Sequence, residues 1–236
     1  MSRVGVAGLV LLTFALVLAC LQIYTYRTAL GNAGAFVGDF PANMDAIDQL
    51  VNRSNVRLFI VADYCAYGQF SNPAGARHYQ DSLRAIQQKG SRVELHVYEP
   101  TLAAKMTAQQ FNLQDPDIAP TNYIALRNKP VFDAFFDYHT KRNDPIKPPD
   151  DYVKFLELMN DQQSKCTEDF QKAGVDIHRD VSEALPVFMW VRDESEEAVF
   201  SIYNLGHDSR EISQVTKNKH IVLLLKDIAS KYLKAK

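Results

Sequence analysis

The chain has 236 residues, of which 47% are apolar and 23% charged, with a formal net charge of −2. That balance excludes a disordered chain, and it disfavours a protein that grips nucleic acid through a strongly basic surface. The length accommodates one domain of about 200 residues beside a short additional segment.

That additional segment stands at the amino terminus. Val4–Ile23 contains no charged residue and is bracketed by Arg3 and Arg27. As a helix it would rise about 30 Å, the thickness of a bilayer's hydrocarbon core. Tyr24 and Tyr26 follow it, where interfacial aromatic residues belong. The run is therefore expected to be a single membrane-spanning anchor within residues 1–27. A cleaved signal peptide is an alternative, and a lipoprotein signal ending at Cys20 is another. With few flanking cations, the positive-inside rule leans towards a domain outside the cytoplasm.

Residues 28–42, with Gly31, Gly34, Gly38 and Pro41, read as a linker. The domain is expected over 43–236. Asn43 is placed to cap a helix carrying Met44, Ile47, Leu50 and Val51 on one side. Val56–Ala62 reads as a buried strand ending at Asp63. A helix with a Tyr79, Leu83, Ile86 stripe then stops at Gly90, before a second strand over Val93–Tyr98. Strand, helix and strand so closely spaced predict a parallel βαβ unit. The stretch from Thr101 to Gly174 is mainly helical in pattern, with Pro130 opening one helix and a long apolar stripe from Tyr152 to Phe170. Strands follow at Val175–Ile177, Val187–Val191 and Ala198–Tyr203, and an amphipathic helix closes the chain over Lys219–Leu233. The class is thus α/β, a mixed sheet flanked by helices. Cys65 and Cys166 are expected as buried thiols.

Generic chemical motifs are absent. There is no phosphate-binding glycine loop, GxSxG elbow, CxxC pair or HExxH pattern, and the six histidines lack ligand spacing. No cofactor or metal is expected on that basis. Asp63 and Tyr64 end a parallel strand, a common place for functional groups in α/β domains. His78 and His96 are the nearby histidines, and His96 reads as a structural residue of its strand.

The informative stretch is Leu185–Lys217. With Asp193 set on the aspartate of the pattern H-x-K-x4-D-x6-G-S-x2-N, Ser201 and Asn204 fall on its serine and asparagine. On these positions, and on the order of its elements, the chain resembles one half of the phospholipase D superfamily, with an enlarged helical insert. The family's histidine is replaced by Pro186, its lysine by Phe188 and its glycine by Phe200. His139-Thr140-Lys141 spells H-x-K without the rest of the pattern and reads as a helix end.

The resemblance implies a site built around Asp193, Ser201 and Asn204 that has lost its nucleophile and its phosphate-holding cation. The expected function is then binding or assembly at a membrane, with a protein partner or a second copy of the chain and without nucleic acid. The alternative is a divergent phosphodiesterase or other hydrolase using Asp63, Tyr64, His78 or His96.

Overall fold

The computed structural model describes residues 34–142, 145–192, 197–203 and 211–233. The run Val4–Ile23 lies outside the described residues, and with it the expected membrane span. Among the described residues no helix is long and apolar enough to cross a membrane.

In chain order the elements are β1 (Ala35–Asp39), α1 (Met44–Asn52), β2 (Arg57–Val61), α2 (Pro73–Gln88) and β3 (Arg92–Tyr98). Four helices follow: α3 (Pro100–Gln110), α4 (Ala119–Arg127), α5 (Pro130–Lys141) and α6 (Tyr152–Lys172). The chain then forms β4 (Asp176–Val181), β5 (Val187–Arg192), β6 (Glu197–Tyr203), β7 (Glu211–Thr216) and α7 (Lys219–Tyr232). Among the described residues the strands make one seven-stranded sheet in the order β1-β7-β6-β5-β2-β3-β4. Strands β2, β3 and β4 are parallel, whereas β5, β6, β7 and β1 are joined antiparallel, with β5 bonded to β2. The mixed α/β class matches the expectation.

Local chemistry explains the parallel unit. Asn72 caps α2 by accepting a hydrogen bond from the Gly75 amide at 3.0 Å, and Pro73 sets the first turn. The helix ends where Gly90 adopts a φ of +97°, a left-handed turn that costs glycine little. Between these ends Tyr79, Leu83 and Ile86 are buried against the sheet. Each aliphatic side chain of that kind contributes about 1.5–3 kcal/mol on burial.

Alternation along each strand sorts side chains onto two faces. One face carries Leu58, Ile60, Val93, Leu95 and Trp190 and is covered by α1, α2 and α6. The other carries Phe59, Glu94, His96 and Met189, with α7 packed against β5 and β6. Helix α6 belongs to two cores. Its Phe155 and Met159 join a phenylalanine-rich cluster with Phe132, Phe135 and Phe136, while Cys166 and Phe170 enter the main core. The helical stripe of the sequence is packing, as expected. Both domain thiols are free and buried, and burial together with the adjoining Cys65 pushes the Cys166 thiol well up.

Three strands differ from the sequence reading. Ala35–Asp39, expected within the 28–42 linker, is edge strand β1, paired with β7. Strand β7 has no counterpart among the expected elements. It forms because Ile212, Gln214 and Thr216 alternate with Ser213 and Val215, so that Ser213 and Val215 face the helices. Strand β4 also runs further than expected, to Val181.

Trp190 has no exposed surface, and its indole N–H donates to the Tyr79 hydroxyl at 2.9 Å. Burial pushes the Tyr79 phenol far above its usual range, so it stays neutral. Tyr79→Phe strands that N–H and should cost about 1–3 kcal/mol. Urea unfolding followed by fluorescence of Trp190, the single tryptophan, measures the loss.

Candidate functional site

Two positions of the phospholipase D-like pattern, Phe188 and Ser201, meet on the face covered by α1 and α2. Phe188 of β5 stands directly opposite Ser201 of β6, and both are buried. The Ser201 hydroxyl lies 2.7 Å from that of Ser213 on β7. Asn43 closes the group. Its amide nitrogen donates to Ser213 Oγ at 2.7 Å, to Tyr67 Oη at 2.9 Å and, more distantly, to Ser201 Oγ at 3.4 Å. The expectation for Asn43 needs correction. It occupies the position before α1, yet its side chain makes no capping bond and reaches across to β6 and β7 instead. Asp193 and Asn204 lie outside the described residues.

The alternative candidates stand on separate elements. Asp63 receives the Tyr64 amide on its carboxylate at 2.7 Å, the geometry of a chain turning after a strand. The Tyr64 hydroxyl points into α3, 2.9 Å from Thr107 Oγ1 and 3.2 Å from the Ala103 carbonyl. His78 is exposed on α2, with Nε2 3.1 Å from an Asp48 oxygen of α1.

A different group gathers on the opposite face, over β3 and β4. Parallel register sets Glu94 beside Asp176 and His96 beside His178. His96 is buried, with Nδ1 2.9 and 3.0 Å from the two Asp180 oxygens and Nε2 3.2 Å from Glu94 Oε1. The His178 ring stacks on it with centroids 4.6 Å apart, and Asp176 Oδ1 lies 3.0 Å from His178 Nε2. Arg57 binds the other Glu94 oxygen at 2.7 Å. Burial opposes ionisation of Glu94, but hydrogen bonds and charge from Arg57 and His96 outweigh it and hold the carboxyl below its usual range. Glu94, His96 and His178 each offer an atom able to ligate a metal, all within 4.8 Å of one another. Sequence reasoning found His96 alone. The available signal was a period of two, Glu94-Leu95-His96 and Asp176-Ile177-His178-Arg179-Asp180, which aligns ionisable groups on one face of a strand.

A cavity of about 280 Å³ lies elsewhere, between α2, α5 and α6, with Arg77, Arg142, Lys165 and Asp169 in its wall. It touches none of the candidate site residues of the sequence.

The chain matches no family model and no curated protein. Among solved structures it is similar to TrmBL2, an archaeal chromatin protein whose structure shows a novel mode of DNA binding, at 11% identity and a TM-score of 0.44. It is also similar to phosphatidylserine synthase of Haemophilus influenzae Rd KW20, at 11% identity and a TM-score of 0.40. The matches cover 96% and 86% of this chain, but 63% and 37% of those chains respectively.

The Asn43 cluster is a structural fastening on these distances. Asn43→Ala should cost about 2 kcal/mol, because buried hydroxyls lose their common donor. His78→Ala, at an exposed pair, should stay within about 0.5 kcal/mol of the parent. Paired chemical denaturation curves check both.

Proposed function

We propose that the chain is a membrane-anchored domain acting by binding or assembly, built on a phospholipase D-like half that has lost its chemistry. The observation that carries this reading is the pairing of Phe188 with Ser201. At the lysine position a buried ring stands where the family places a cation, and the serine hydroxyl is taken up by Ser213 and Asn43. A transferring phosphoryl group needs positive charge beside it and a nucleophile. Phe188 supplies no charge, and Pro186 supplies no nucleophile.

An exposed apolar surface supports a protein as ligand. Paired Ile202 and Ile212 lie on the α7 side of the sheet and remain 47% and 43% exposed, and Phe36 on the neighbouring edge strand is 64% exposed. Adjoining apolar groups of this kind are what a partner, or a second copy, covers. The uncharged run Val4–Ile23 supports attachment to a membrane, with the domain outside the cytoplasm.

Activity on a generic phosphodiester and on nucleic acid tests the central claim, with Asn204→Ala as control. The expected result is turnover no greater than that of the variant. Robust turnover that Asn204→Ala abolishes would overturn the reading. The anchor has its own test. Full-length protein should stay with membranes through an alkaline carbonate wash, while a version beginning at Gly31, which retains β1, should be released.

A further inference from the structure

We infer that Glu94, His96 and His178 form a binding site for a divalent transition metal ion of the zinc type, with Asp180 positioning His96. This goes beyond the binding role proposed above, and it lies on the opposite face of the sheet from Phe188 and Ser201.

Ligand separation is the first criterion. Two ligands held on one tetrahedral ion by bonds of about 2.0–2.1 Å lie about 3.3 Å apart. Glu94 Oε1 and His96 Nε2 are 3.2 Å apart, and the His178 ligand atom lies within 4.8 Å of both. The half-buried His178 ring, stacked on that of His96 at 18°, brings the third ligand in by rotating out of the stack, so that its nitrogen lone pair aims at the same point. Both histidines come from neighbouring parallel strands at matched register, so rigid backbone sets their spacing.

The surroundings of the two histidines point the same way independently. Asp180 engages His96 Nδ1 with both carboxylate oxygens, which leaves Nε2 directed at Glu94. A carboxylate on the far nitrogen is the arrangement that orients a metal-bound histidine and raises its basicity. Arg57 holds Glu94 Oε2, so that Oε1 is the oxygen turned to the histidines. Two imidazoles and one carboxylate suit zinc and its neighbours, and suit calcium or magnesium poorly, since those ions favour sets of oxygen ligands. The His178 side chain keeps 19% of its surface exposed, which provides an entry path and room for water in a fourth position.

The test uses the full chain, purified in detergent without a polyhistidine tag, stripped with chelator and titrated with zinc sulfate. One ion should bind per chain, at a micromolar Kd or tighter. Cobalt(II) in its place should give visible absorption bands of a four-coordinate ion. His178→Ala should weaken zinc binding at least about tenfold and abolish the bands, and Asp180→Asn should weaken it by about 10–100-fold. His78→Ala should change neither. Because His96 is buried and its replacement risks the fold, His178→Ala is the deciding variant, with circular dichroism confirming that it is folded. Absence of stoichiometric zinc binding in the parent would overturn the site. So would a folded His178→Ala that binds zinc within about threefold of the parent, about 0.65 kcal/mol.

Discussion

A buried N–H must find an acceptor, and Trp190 meets that requirement at the seam of the sheet. Its strand, β5, is the antiparallel neighbour of β2, so the parallel half and the antiparallel half meet there. Trp190 fills the space beneath α2 completely, and only the Tyr79 hydroxyl keeps its indole satisfied. The rest follows from that contact. Tyr79 fixes the rotation of α2, whose Leu83 and Ile86 then enter the core, and the edge of Trp190 meets Tyr67, which accepts from Asn43. A chain of buried polar groups thus runs from the middle of the sheet to its antiparallel end. Each member is costly to leave unpaired, so together they specify one packing.

The same accounting separates the two faces. Beneath α1 and α2, Ser201 and Ser213 are wholly buried and satisfied by side chains, which makes them fastenings. On the other face, α7 sits over β5 and β6, and β3 and β4 present paired ionisable residues that, the buried His96 apart, keep part of their surface in water. Polar groups that stay partly wet are cheaper to rearrange around a ligand than polar groups locked in a core. Side chains over β3 and β4 are therefore more easily rearranged than Ser201 and Ser213.

Much of the fold was legible because burial imposes periodicity. Met44, Ile47, Leu50 and Val51 lie on one stripe of α1, and Gly90 ends α2, both local signals, whereas the start of α2 at Asn72 and Pro73 reads in the sequence as loop. Strands β1 and β7 were not legible because each depends on a partner far along the chain, and Gly38 disguised β1 as linker. The site divides in the same way. Ser201 was recognised by spacing, but its partners Asn43 and Ser213 are brought in by tertiary structure. Glu94 and His178 escaped notice because ligand spacing within one segment was the criterion, whereas here register between two strands does the work.

Helix α6 has a further consequence. Its 21 residues span about 31 Å. One end is sunk among the phenylalanines of the helical insert and the other among the thiols and Phe170 of the main core. A helix held at both ends ties the two cores together. Cys166 stands in the wall of the cavity that α6 borders, and the next residue, Thr167, accepts a hydrogen bond from Arg179 of β4 at 3.3 Å. That arginine lies next in sequence to both His178 and Asp180, so one helix touches the insert, the cavity and the strand that carries the histidine face.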